Sequence, residues 1–271
     1  MLMKQYIVPL LTLPMAALPL HAESPTPGRA TVEWVSKTTG YSPGEPVVTA
    51  IKMRLEKGWH TYWSNPGEAG LPPTISMELP EGWQAGPLEF PLPIRFTTGD
   101  LHDFGYEGTV LFPIVLHPPA DASGNVALTA TFDWLACDDT ACIPGNANVR
   151  LELNHGEGQS TTARPQIEET LKKIPAPAPQ EYKLDLIEKT DTLKLTLTTP
   201  NSIDAHQLVV FPLTPNTAHP AADYQWSQDS GSWTAEVPKS PFAPDPIESF
   251  ELVLHAPTLA TPLTVTWKTT K

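Results

Sequence analysis

Hydrophobic and polar residues alternate with a period of two along most of the chain, which is the pattern of half-buried β-strands. In residues 47–55 alternate positions are mostly apolar, while Lys52 and Arg54 occupy positions between them. Residues 126–134 and 149–153 alternate in the same way and flank a short connection. We therefore predict strands in all three stretches, the last two being neighbours in one sheet.

The pattern changes after residue 155, where the density of apolar residues falls. Residues 156–163 are predicted to form a solvated linker. Residues 165–173 are predicted to form a short helix, with a proline in its first turn, acidic residues early and lysines late, as the helix dipole favours. The alternating proline segment 175–179 then forms a stiff spacer.

Strand patterns return from residue 182 and continue to the end of the chain as several short apolar–polar alternations, which are typical of a β-sandwich. The composition agrees, because 32 prolines and only 16 glycines in 271 residues favour strands broken by rigid turns over long helices. The prediction is an all-β chain with one domain at 23–155, a linker at 156–181 and a second, smaller β-sandwich at 182–271.

The first 22 residues are predicted to form a secretory signal peptide. Lys4 gives a positive start, residues 6–20 are largely apolar, and Ala22 offers a small residue for cleavage. An uncleaved membrane anchor is the alternative, disfavoured because the apolar run is short and holds three prolines. With no second long apolar segment, the mature chain is predicted to lack a membrane span and to reside in an oxidising exported compartment.

The net charge of −13 argues against nucleic acid and anionic membranes as partners, because both would require a basic patch that no stretch supplies. The eight histidines show no spacing typical of a zinc site, and no hydrolase or nucleotide-binding motif occurs. We therefore expect no cofactor and no metal. His60 and His102 remain candidates for tuning a nearby group, with a surface role as the alternative.

Candidate chemistry centres on the two cysteines of the chain, Cys137 and Cys142, which have only four residues between them. So short a loop can close as a disulfide. As a structural staple it would contribute about 2 kcal/mol in the chain-entropy model, little for a chain so rich in apolar residues. A redox role is favoured over the staple, and metal binding is disfavoured because further ligands are missing.

The acidic residues Asp138 and Asp139 follow Cys137 directly. Negative charge disfavours a thiolate, so the reduced pair is predicted to be a poor nucleophile, while its disulfide remains open to attack by a partner's thiolate. Cys137, at the end of a predicted strand, is expected to be the buried cysteine and Cys142 the exposed one. The pair would then accept electrons from one protein and pass them to another.

The chain resembles the N-terminal periplasmic domain of the DsbD/ScsB thiol:disulfide interchange proteins over about residues 32–153. The motifs that carry the resemblance are WLAC at 134–137 with CIPG at 142–145, GWHTYWSNPG at 58–67 and FGYEG at 104–108. The resemblance implies an immunoglobulin-like β-sandwich with a redox-active cysteine pair. It also implies that His60 and Tyr62 line the active site, and that a cap loop at 103–108 shields the sulfurs with Phe104 or Tyr106.

The resemblance further implies partners. The electron donor would be a thioredoxin-like domain or a membrane electron conductor, and the acceptors would be periplasmic disulfide isomerases, cytochrome c maturation factors or similar thiol proteins. The sequence carries neither the transmembrane nor the thioredoxin-like domain of full-length members, so its reductant is expected to be a separate protein. The chain would then be one component of a protein-disulfide reductase system.

The alternative function is an exported binding module with a purely structural disulfide. Trp59, Trp63 and Trp83 could then form an aromatic surface for a glycan or a protein, although such residues more often pack in a core.

Overall fold

The computed structural model describes residues 27–229 and 231–269. The predicted signal peptide, 1–22, and its cleavage point lie outside the described residues. Within the described ranges, no helix is long and apolar enough to cross a membrane.

The first domain is a sandwich of two β-sheets. One sheet has the order β1-β3-β9-β6, and the larger one has the order β2-β11-β10-β4-β8-β7, with β5 also paired to β10. The strands are β1 (Ala30–Ser36), β2 (Gly40–Tyr41), β3 (Val47–Leu55), β4 (His60–Gly67), β5 (Thr74–Glu78), β6 (Gln84–Ala85), β7 (Ile94–Thr98), β8 (Leu101–Glu107), β9 (Thr109–His117), β10 (Val126–Cys137) and β11 (Cys142–His155). This architecture confirms the predicted immunoglobulin-like sandwich.

The longest hairpin of this domain joins β10 to β11 in an unbroken antiparallel register from Val126↔Leu153 to Cys137↔Cys142. Every second residue of β10 from Leu128 to Ala136 is buried in the core between the sheets. The remaining side chains of β10 therefore point to the outer face of the larger sheet. Cys137 belongs to that outer set.

The segment between the two domains is packed onto the first. Gly156 donates its backbone N–H to Tyr41 and Thr161 donates to Lys37, so the predicted solvated linker is bonded to the β1–β2 region. The predicted helix is present as α1 (Arg164–Leu171). Ile167 of α1 is fully buried, in a small cluster with residues of β3 and β9.

The second domain is also built from two four-stranded sheets, ordered β12-β19-β18-β15 and β13-β14-β17-β16. Its core contains leucines that alternate along β14 and residues of β18 that face them across the domain. Its strands are β12 (Ala176–Pro177), β13 (Lys183–Glu188), β14 (Thr192–Thr198), β15 (Val209–Pro212), β16 (Ser227–Asp229), β17 (Ser232–Pro238), β18 (Ser249–His255) and β19 (Leu263–Lys268).

The two domains share a packed interface beneath β4 and β8. Phe211 of β15 is 3% exposed and packs with the first domain's core, where its ring lies 6.0 Å from that of Trp63. The buried Asn65 side chain donates to the carbonyl oxygen of Pro212 at 2.7 Å. The second domain therefore rests against the strand that carries His60 and Tyr62.

Candidate active site around the Cys137–Cys142 disulfide

Cys137 and Cys142 form a disulfide bond at the turn end of the β10–β11 hairpin. They are directly opposed residues of the two strands, with Cα atoms 4.1 Å apart. Cys137 is fully buried, whereas Cys142 is exposed, as the sequence predicts. A partner approaching from solvent therefore meets Cys142 first.

The loop between the cysteines is organised by Asp138. Its Oδ1 accepts hydrogen bonds from the Thr140 hydroxyl at 2.7 Å and from the backbone N–H groups of Thr140 and Ala141 at 2.8 Å each. These bonds, the hydroxyl contributing most, lower the pKa of the Asp138 carboxyl. Asp138 is therefore ionised at neutral pH and keeps a negative charge beside the disulfide.

Trp134 and Gly145 support the base of this loop. They are directly opposed in the β10–β11 register, and a Cβ atom at Gly145 would overlap the buried indole of Trp134. The indole N–H donates to the carbonyl oxygen of Gly28 at 2.8 Å. Because the ring lies flat across the opposite strand, the tryptophan of WLAC requires the glycine of CIPG.

The register of the larger sheet brings His60 and Tyr62 to its outer face, the one that carries Cys137. This outer face is the disulfide's face. His60 is paired with Cys137 on one side and Glu107 on the other, and Tyr62 follows on the same face two residues later. His60 Nε2 lies 3.4 Å from the Tyr62 hydroxyl. Both side chains are buried, so the structure brings together Cys137, His60 and Tyr62 as the resemblance implies.

Burial determines the protonation states of His60 and Tyr62. It lowers the pKa of His60, against the opposing effects of Glu107, Asp139 and Asp138, so the imidazole is neutral at pH 7. Burial, with a contribution from Asp103, raises the pKa of Tyr62 to about 12. His60 therefore supplies no positive charge to stabilise a thiolate, and the carboxylates nearby oppose one.

The segment predicted as a cap loop is mostly strand, since β8 extends from Leu101 to Glu107. The side chains of Phe104 and Tyr106 point into the core, on the side of the sheet opposite to the disulfide. The Phe104 ring packs against Trp63 and Phe211, and the Tyr106 hydroxyl donates to the carbonyl oxygen of Pro91 at 2.6 Å. The expected cap role of these two rings is not supported, because the strand alternation turns both away from the outer face.

A further aromatic ring, that of Phe96 on β7, lies against His60 and near Tyr62 on this face. Its ring lies 4.2 Å from that of His60 and 6.1 Å from that of Tyr62. On the other side, Gly70 closes over the ring of Tyr62, which leaves no room there for a Cβ atom. The sequence reasoning missed Phe96, although the alternation of Ile94 and Phe96 would have placed both on one face.

Of the remaining candidates, the three tryptophans are buried and His102 is exposed. Trp59, Trp63 and Trp83 are 9%, 0% and 8% exposed, so they form core and leave no aromatic platform for a glycan. His102 is exposed on β8, where its backbone N–H donates to Glu68. Within the described ranges, no group of three histidine, cysteine or acidic side chains is arranged to hold a metal ion.

The carboxylates of Asp138 and Asp139 beside the cysteine pair give a first prediction. In an Asp138→Asn, Asp139→Asn double variant, the thiol pKa of Cys142 in the reduced protein should fall below the wild-type value. Two negative charges are removed, while the amide oxygen of the asparagine introduced at position 138 can still accept the hydrogen bonds of the turn. The pH dependence of iodoacetamide alkylation measures this value. A wild-type pKa well below about 8.5, the value for free cysteine, would contradict the account of a disfavoured thiolate.

Comparison with known proteins identifies the family that the first domain resembles. The sequence model of the family described as "Thiol:disulfide interchange protein DsbD, N-terminal" matches residues 30–154, which is the whole first domain. A comparison with curated protein sequences gives no significant match.

Among solved structures, the N-terminal periplasmic domain of ScsB from Proteus mirabilis is similar with a TM-score of 0.63 and 21% identity, over 88% of this chain and 91% of that one. This likeness extends over both domains and shows the fold. The sporulation control protein Spo0M from Bacillus subtilis aligns over 89% of this chain and 91% of its own, with 10% identity and a TM-score of only 0.24.

Proposed function

Because the first domain, residues 30–154, belongs to the family of N-terminal domains of the thiol:disulfide interchange protein DsbD, we propose that this chain relays electrons between proteins by thiol–disulfide exchange at Cys137 and Cys142. The observation that carries the proposal is the asymmetry of the disulfide. One cysteine is exposed at the end of a hairpin, and the other is fully buried beside a neutral histidine. A purely structural disulfide requires neither the exposure of one cysteine nor a histidine beside the other.

The exchange has two balanced steps. A donor thiolate attacks Sγ of Cys142, the Cys137–Cys142 bond breaks, and Cys137 leaves as a thiolate that takes up a proton. The donor's second thiol is then deprotonated and attacks the donor's first sulfur in the mixed disulfide. Cys142 leaves as a thiolate that takes up a proton, and the donor is oxidised to its disulfide. Two electrons and two protons have then moved from the donor dithiol to this pair.

The reduced pair passes the electrons on by the reverse chemistry. Cys142, as a thiolate, attacks the acceptor's disulfide, and Cys137 then loses its proton and attacks Cys142 to re-form the original bond. The acceptor leaves as a dithiol. Since the acidic surroundings disfavour the Cys142 thiolate, the acceptor must be a readily reduced disulfide.

The surface around the disulfide suits a protein partner. Leu71, beside the glycine that covers Tyr62, is 65% exposed, and Ile94 on the disulfide's face is 47% exposed. Exposed apolar side chains next to a reactive group are typical of a docking surface. We place a thioredoxin-like domain or a membrane electron conductor there as donor, and a disulfide isomerase, cytochrome c maturation factor or similar thiol protein as acceptor.

The proposed location is the periplasm. The apolar segment at 6–20 and Ala22 support export by a signal peptide, and the structurally similar ScsB domain is described as periplasmic. An exported compartment also lets the pair rest as a disulfide until a reductant arrives.

Equilibration with glutathione redox buffers tests the proposed function. The fraction of reduced Cys137–Cys142 pair, read by mass after alkylation, should give a potential in the range of about −120 to −270 mV found for thioredoxin-fold exchange proteins. A potential below about −300 mV, with no reduction by thioredoxin, would instead identify a structural disulfide. The chain would then be an exported binding module.

A further inference from the structure

Strand β7 connects the disulfide's face to the second domain. It is the edge strand of the larger sheet, paired only with β8 in that sheet's order. Phe96 points to the outer face and contacts His60, whereas its neighbour Arg95 points to the opposite side, where it is paired with Phe104. Any force that holds Arg95 therefore also holds Phe96.

The guanidinium of Arg95 makes three of its four contacts with the second domain. Its guanidinium donates to the carbonyl oxygens of Val210 at 2.6 Å and Pro220 at 2.9 Å. It also lies over the ring of Phe211 at 5.1 Å and over the ring of Phe104 at 5.0 Å. Two charge-assisted hydrogen bonds and two aromatic contacts make this side chain a strong link between the domains.

The rest of the contact between β7 and the second domain is open. A cleft of about 600 Å³ separates the β7–β8 hairpin from residues 208–210 and 220–224, and Arg95 is an exposed residue that lines it. An edge strand next to a cleft has few packing contacts to fix its position. Arg95 therefore supplies an anchor that packing does not.

We propose that Arg95 is a positioning residue through which the second domain holds β7, and with it Phe96, over His60, the neighbour of the buried Cys137, and so sets how readily the Cys137–Cys142 disulfide is reduced. This rests on the proposed function, and it gives the second domain a role in the exchange. Arg95 itself touches neither sulfur in this arrangement.

An Arg95→Gln variant of the full chain tests the proposal. Its disulfide should be reduced by dithiothreitol about tenfold faster than that of the wild type, because loss of the charged hydrogen bonds lets β7 and Phe96 move away from the face. The rate is measured by quenching with an alkylating reagent and counting the modified cysteines by mass.

The titration of His60 provides a readout that a general loss of stability would not change. Burial, to which Phe96 contributes, lowers the pKa of His60, while the charged groups facing it, Glu107, Asp138 and Asp139, stay in place in the variant. The NMR titration of the His60 ring in Arg95→Gln should therefore shift upward. An increased reduction rate without this shift would contradict a route through Phe96.

Lys239→Gln is the matched control. It also removes one positive charge, and it breaks the ion pair with Glu188 inside the second domain while leaving the Arg95 side chain intact. It should leave both the reduction rate and the His60 titration at their wild-type values. Equal acceleration in Lys239→Gln would show that loosening the second domain in general is sufficient, and the assignment of Arg95 would be wrong.

A Phe96→Ala variant completes the test. It should also accelerate reduction, and adding Arg95→Gln to it should give no further acceleration, because both changes remove the same cover. If the two substitutions together multiply their separate effects on the reduction rate, the proposal is wrong. A wild-type disulfide that resists both dithiothreitol and thioredoxin would count against the proposed function itself, whereas equal rates in wild type and Arg95→Gln would remove only the inference about Arg95.

Discussion

A Cys137→Ala variant is expected to accumulate as a stable mixed disulfide with its protein partner, linked through Cys142, whereas Cys142→Ala should trap about tenfold less. The reason is the difference in exposure, since Cys142 lies on the surface and Cys137 is fully buried beside His60. In Cys137→Ala the resolving thiol is also missing, so the bond to the partner cannot be released from within this chain.

The measurement uses a defined partner, thioredoxin carrying only its attacking cysteine, mixed with each variant after activation of the variant's single thiol by Ellman's reagent. Non-reducing electrophoresis gives the yield of the mixed disulfide. Reaction rates of the two thiols with Ellman's reagent in denaturant, where burial is lost, should be equal and serve as the control. Trapping of the same strength by both variants would show that burial does not decide which sulfur is attacked, and trapping by neither would contradict the relay.

The strands of the first domain could be predicted from the sequence because the alternation of apolar and polar residues along each strand is a local pattern. Alternation along β10 and β11 identified the hairpin, and the return of polar residues after each apolar one gave the correct face for Trp134. The cysteine pair followed from its spacing alone. These features depend on neighbours in sequence or on a single hairpin, which period-two patterns report.

The aromatic ring that lies against His60 could not be predicted in the same way, because its position depends on contacts that the local pattern does not contain. The motif at 104–108 suggested a loop, yet β8 continues through it and turns Phe104 toward Phe211, a residue of the second domain. Phe96 reaches His60 only because β7 adds to the sheet beyond β8. Strand order and domain docking are long-range properties, so both assignments required the structure.

The second large effect is expected at the base of the disulfide loop. Gly145→Ala should lower the free energy of unfolding by about 3 kcal/mol, because the new methyl group overlaps the buried Trp134 ring, and moving the ring also breaks its hydrogen bond to Gly28. Urea unfolding of the oxidised protein, followed by far-ultraviolet circular dichroism, measures the change. Asn146→Ala, at the exposed neighbouring position, should cost less than about 1 kcal/mol.

A double-mutant cycle separates the ring overlap from any general cost of a side chain at position 145. In a Trp134→Leu background the indole is gone, so Gly145→Ala should then cost less than about 1 kcal/mol. The same cost in both backgrounds would mean that backbone strain, rather than the ring, makes the glycine necessary. The expected result explains the joint occurrence of WLAC and CIPG: the tryptophan braces the two strand ends that hold Cys137 and Cys142 opposite one another, and only glycine leaves room for it.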